Sequence, residues 1–173
     1  MMRVVLDTNV LLSALISPHG APDAIYRAWR AARFVIVTSV AQLDELRLAS
    51  RYPKFKAVLQ PHRVGAMVNN LQRAVVLERL PSGMEADDPF DAFLLAMAVA
   101  GGADFLVTGD HRAGLLRRGH IDHTRIVTPA AFCAEALSGR KPESRKFLDI
   151  VPRQQHKRMH ADFEKYSGTM ATA

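Results

Sequence analysis

The sequence predicts an α/β fold in which a parallel sheet is covered by helices on both faces, and three observations carry that expectation. Short apolar segments of three to five residues alternate with helix-length stretches along the whole body of the chain. Two of those segments run directly into an acid at their carboxyl end, Asp7 after Val4-Val5-Leu6 and Asp110 after Phe105-Leu106-Val107-Thr108-Gly109. Between them, residues 89–100 contain a single charge, Asp91. At about 100° per residue their apolar side chains cover nearly the full circumference of a helix, which therefore has to be buried between layers.

Taken in order, residues 4–6 form the first strand and residues 10–16 open a helix. Pro18, Gly20 and Pro22 punctuate, and residues 23–33 read as the next helix. Residues 34–38 are a second strand, after which Ser39 caps a helix over residues 40–51 that Pro53 ends. A helix over residues 61–71 leads to a third strand at residues 75–77. Asp88 is a good N-cap and Pro89 suits the first position of the buried helix, which Gly101-Gly102 stops before the apolar strand at residues 105–108. Residues 125–127 are a last strand, and Thr128 caps a helix over residues 129–137. From 138 to 173 the chain turns polar and loses its periodicity, so we read residues 1–137 as one domain and 138–173 as a basic, partly flexible extension.

Composition bounds the function. At 173 residues the chain is long enough for a core without staples, and with Cys133 as its single cysteine it cannot form an intrachain disulfide. The longest apolar run, residues 92–100, is too short to cross a bilayer, and Asp7 interrupts any signal-peptide core. A cytoplasmic protein without membrane contact is expected. The net charge of +6 favours an anionic partner. The extension holds eight Lys/Arg and four Asp/Glu, which leaves fifteen and thirteen for the body, so the body's own excess is only +2. Basic rims around an acidic centre fit that balance.

In an open α/β sheet, ligands bind outside the carboxyl ends of the strands, where Asp7 and Asp110 project. Asp91, third in its helix, sits at a positive helix end. On the helix over residues 40–51, Glu45 falls between Ala41, Leu48 and Ala49 in the apolar arc, whereas Asp44 falls among Arg47, Ser50 and Arg51. Each acid has a plainer explanation as a cap, a turn residue or one half of an ion pair. Four acids placed independently at one edge or facing the core are hard to assemble by chance. Clustered carboxylates repel one another and hold protons unless a cation lies among them. No cysteine pair exists and the seven histidines lack zinc-site spacing, so the expected ion is hard and oxygen-bound, Mg²⁺ or Mn²⁺.

The chain resembles the PIN-domain ribonucleases, particularly the VapC-type toxins of bacterial toxin–antitoxin modules. The resemblance runs from about residue 3 to residue 137. It rests on Val4-Val5-Leu6-Asp7-Thr8-Asn9-Val10-Leu11, the helix with Glu45 followed by Arg51-Tyr52-Pro53-Lys54-Phe55, Asp88-Pro89-Phe90-Asp91, Ala103-Asp104-Phe105-Leu106-Val107-Thr108-Gly109-Asp110, and Thr128-Pro129-Ala130-Ala131-Phe132. Carried over, the family's acidic quartet falls on Asp7, Glu45, Asp91 and Asp110, and its supporting polar positions on Asn9 and Thr108. The resemblance implies a Rossmann-like three-layer α/β/α sandwich. It further implies Mg²⁺- or Mn²⁺-dependent endonuclease activity on single-stranded RNA, frequent homodimerisation, and neutralisation by a small cognate antitoxin. The extension after Leu137 departs from a minimal domain of this kind.

The chemistry expected of such a site is metal-assisted phosphodiester hydrolysis. Arg51, Lys54, Arg112, Arg117 and Arg118 flank the acids in sequence and are the candidate RNA contacts, each with a plain alternative as a solvated cation. Cys133 lies within a helix and reads as packed, and His111 as a turn residue. Two rivals stand beside a toxin: an RNA- or DNA-processing nuclease without an antitoxin, and a non-catalytic RNA-binding module of the same fold. A binder has no need of clustered acids that repel phosphate, and Asp7→Asn separates the cases by whether cleavage is lost while RNA affinity remains.

Overall fold

A computed structural model describes residues 1–49, 51–53, 57–86, 89–111 and 114–138. Asp88, Lys54, Arg112 and the extension beyond Ser138 lie outside the described residues. Six strands form one sheet: β1 (Arg3–Leu6), β2 (Val35–Ser39), β3 (Val75–Leu77), β4 (Phe105–Val107), β5 (His120–Ile121) and β6 (Thr124–Val127). Their order is β3-β2-β1-β4-β6-β5. The first five in that row are parallel, with Val5 opposite both Val37 and Leu106. β5 alone runs antiparallel to β6, through a tight turn in which Asp122 takes φ 47°. The sequence reading lacks this edge strand, because two residues carry no periodicity.

The helices are α1 (Thr8–Ile16), α2 (Ala21–Arg30), α3 (Val40–Ala49), α4 (Pro61–Leu71), α5 (Pro89–Ala100), α6 (Gly114–Arg118) and α7 (Pro129–Phe132). α7 continues as a π-helical turn over Cys133–Leu137. α4 and α5 have the expected ends. α2 ends earlier than residue 33, because the chain turns at Ala32 into a left-handed conformation, φ 57°. The five-residue α6 was not expected. Ser39 caps α3, accepting the Gln42 N–H at 3.2 Å. α5 stops in a Schellman turn: Gly102 takes φ 56°, its N–H donates to Val99 and that of Ala103 to Ala98. A methyl group on neighbouring Gly101 would overlap Val37, so only glycine lets α5 approach β2 this closely.

Alternation along the strands divides the core in two. Val5, Val37, Leu106 and Ile126 face α5 and α6, where Leu94, Leu95, Met97, Ala98 and Leu115 complete a buried cluster. On the opposite face Phe132 packs edge-on against Phe34 and Phe105, with centroids 5.5 and 5.3 Å apart, and so seats α7. The result is a three-layer α/β/α sandwich with a central parallel sheet and one antiparallel edge. Among the described residues no helix is long and apolar enough to cross a membrane.

Candidate active site

The middle of the parallel sheet, β1 beside β4, decides what meets at its carboxyl edge. β1 runs directly into Asp7, whose N–H still bonds Val107 at 2.9 Å as the ladder ends. The Asp7 side chain then caps α1, with Oδ1 accepting from the Asn9 N–H at 3.2 Å. Its other oxygen, Oδ2, accepts a 2.7 Å bond from the Thr108 hydroxyl, which follows β4 and is fully buried. Thr108 Oγ1 in turn accepts the Asp110 N–H at 3.1 Å. One threonine therefore holds the side chain of the first of the four acids and the backbone of the fourth.

Glu45 reaches the same region from α3, and its Oε2 accepts from Thr8 Oγ1 at 3.2 Å. Burial raises its carboxyl to about 7; the Thr8 bond opposes that rise and the nearby charge of Asp7 adds to it. Neighbouring Asp44 is exposed and pairs with Arg47 at 2.6 Å, on the other side of the helix.

Asp91, only 5 % exposed, stands in the first turn of α5. The far end of that helix is tied to the start of β1, where the Arg3 guanidinium donates to the Gly101 carbonyl at 2.9 Å. α5 thus runs back along the sheet and its first turn lies at the carboxyl edge. Asp91 there lines a cavity of about 660 Å³ with Glu85, Leu95, Leu115, Arg117 and Arg118. Arg118 donates to the Glu85 carbonyl at 3.2 Å, while Arg51, Arg117 and Arg118 are all exposed.

The four acids share an edge without sharing a tight cluster. Among the described residues no three acidic, histidine or cysteine side chains stand close enough to hold a metal ion. The donor chemistry nevertheless fits a hard divalent cation. The acids offer only oxygen, Glu45 is a desolvated carboxyl beside a second one, and the buried Oδ1 of Asn9 has no hydrogen-bond partner among the described residues. Cys133, by contrast, is packed: burial pushes its thiol up to about 11, and it donates weakly to the Ala21 carbonyl. His111 is exposed.

Two polar residues at this edge escaped the sequence reading. Thr8 is a donor to Glu45 as well as the first residue of α1, and Gln42 is buried one turn before Glu45. The spacing of three between Gln42 and Glu45 places them on one helix face, but that signal is weak without its partners on β1.

A family model for the PIN domain matches residues 3–112, a span that contains all four acids. No curated protein matches. Among solved structures, a crystal structure of VapBC2 from Rickettsia felis bound to a DNA fragment from their promoter is similar, at 18% identity and a TM-score of 0.49. The match covers 73% of this chain and 98% of that chain. With its sandwich, its acid-bearing sheet edge and well over half its length matched, the chain belongs to the PIN-domain family.

Proposed function

We propose that this protein is a metal-dependent endoribonuclease that hydrolyses phosphodiester bonds of single-stranded RNA. We also propose that it is the toxin of a type II toxin–antitoxin pair, a cytoplasmic homodimer held in check by a cognate antitoxin. Asp7, Glu45, Asp91 and Asp110 would hold Mg²⁺ or Mn²⁺. When bound, such an ion supplies an activated water and neutralises charge that grows on the phosphorus centre. The chain's own groups prepare the place. Thr108 fixes one oxygen of Asp7 and the backbone of Asp110, the Asn9 N–H fixes the other Asp7 oxygen, and Thr8 orients Glu45. Arg51, Arg117 and Arg118, with Lys54 and Arg112, would neutralise backbone phosphates of the incoming strand.

The observation that carries this reading is that two carboxylates from remote elements are each held by a threonine hydroxyl at the carboxyl edge of a PIN-domain sheet, Asp7 by Thr108 and Glu45 by Thr8. The test is cleavage of end-labelled single-stranded RNA with and without Mn²⁺, with Asp91→Ala as control. Cleavage by the native protein in Mn²⁺ alone, absent from the variant, is the expected result. RNA binding without cleavage under any divalent ion identifies a non-catalytic module instead. Growth arrest on expression that a co-expressed neighbouring gene relieves distinguishes a toxin from a processing nuclease.

A further inference from the structure

The Gln42 carboxamide has no role in the proposed reaction, yet it is wholly buried and one of its bonds reaches Thr8, the donor to Glu45. Its Nε2 donates to the Leu6 carbonyl at 2.8 Å and to Thr8 Oγ1 at 3.3 Å, and its Oε1 accepts from Thr38 Oγ1 at 2.8 Å. Thr38 too is wholly buried, at the end of β2. The Leu6 carbonyl can only accept, so the amide is forced to present nitrogen there, and the opposite orientation would set two oxygens against each other. The second proton of Nε2 then goes to Thr8. A hydroxyl that receives a proton on its oxygen keeps its own proton to give, and Thr8 gives it to Glu45 Oε2. Proton direction is thereby set from Thr38 to Gln42 to Thr8 to Glu45.

We propose that Gln42 is a positioning residue of the site: its buried carboxamide locks the Thr8 hydroxyl as a donor to Glu45 and so fixes the Glu45 carboxylate in the orientation that receives a divalent cation. A side chain of similar length without polar atoms, such as methionine, would fill the same space at lower desolvation cost. What methionine would lack is the bridge from the end of β2 through the last carbonyl of β1 to the start of α1. The inference rests on the reading of Glu45 as an ion-holding carboxylate.

Calorimetric titration of the full chain with Mn²⁺ alone, beside urea unfolding of each variant, tests it. Gln42→Met should weaken Mn²⁺ binding roughly tenfold or more, within the range of roughly 10–100-fold that removal of such outer groups produces. Thr8→Val should do the same. Thr38→Val, which removes a bond to the same carboxamide but leaves both of its donations, should lower the urea midpoint while Mn²⁺ affinity stays within about twofold of native. Added to Thr8→Val, Gln42→Met should have no further effect on affinity, since its action passes through that hydroxyl. Native affinity in Gln42→Met overturns the proposal, as does an undiminished loss in the Thr8→Val background. Should Gln42→Met fail to fold, Thr8→Val decides, and native affinity there overturns the proposal equally. A native protein that binds no Mn²⁺ removes the reading of Glu45 together with this inference, whereas native binding with unchanged variants removes the inference alone.

Discussion

The surroundings of Asp7 and those of Asp91 are built on opposite plans. Around Asp7 and Glu45, buried threonines and a buried glutamine supply hydrogen bonds of 2.7 to 3.3 Å, and the groups belong to β1, α1, β2, α3 and the end of β4. Around Asp91 the chain opens into a cavity of about 660 Å³ whose rim carries Glu85, Arg117 and Arg118 on short or irregular segments. Burial makes each unmet polar group costly, so the first side has few alternative arrangements. Exposure lets the second side adjust. The RNA cleavage we propose would need both properties, aimed carboxylates and room for a long polyanion, and the fold separates them into neighbouring regions.

That contrast sets the order of expected effects. Asp91→Ala removes the one acid shared by the helix end and the cavity, and should reduce Mn²⁺-dependent RNA cleavage to background; near-native cleavage would detach the open side from the chemistry. Glu45→Gln probes the closed side through pH. The carboxyl is raised from 4.5 to about 7 in the fold, so the folded state binds the proton more tightly than the unfolded chain. Its contribution to stability is intact below pH 4.5 and is lost as pH rises towards 7, a penalty of up to about 3 kcal/mol at higher pH. Without divalent ions, urea unfolding should therefore show Glu45→Gln more stable than native at about pH 8 and indistinguishable at about pH 4. A flat difference across that window would contradict a desolvated Glu45 carboxyl. Thr108→Val keeps the shape and removes the bonds to Asp7 and Asp110, which should weaken Mn²⁺ affinity or cleavage by roughly 10–100-fold. Arg117→Ala on the open side should have the smallest effect. Its RNA binding, measured against salt concentration, should fall less steeply by about one unit of slope, with the folded stability unchanged.

Much of this arrangement is legible in the sequence, and the reasons differ by element. α5 announces itself by its all-round apolar surface and glycine stop, and β1, β2, β3, β4 and β6 by apolar runs set between breakers. Asp7 and Asp110 could be placed at one edge because both follow strands of a parallel sheet, and the family match spans them both. β5 and α6 are illegible because two and five residues are too few to repeat a period. The end of α2 depends on a left-handed Ala32, a conformation that alanine does not advertise. The Thr108–Asp7 bond spans 101 residues, and Gln42 meets Thr8 across 34. Such pairs are created by strand order, which local patterns do not encode.

We propose that Asp7, Glu45, Asp91 and Asp110 hold one divalent-ion site between the closed and open sides. Its most direct test is anomalous diffraction from crystals of the protein grown in Mn²⁺. A manganese peak is expected within coordination distance of oxygens from these side chains, which the ion would draw together. A fully loaded crystal whose manganese sits elsewhere, with the four carboxylates still apart, would contradict it.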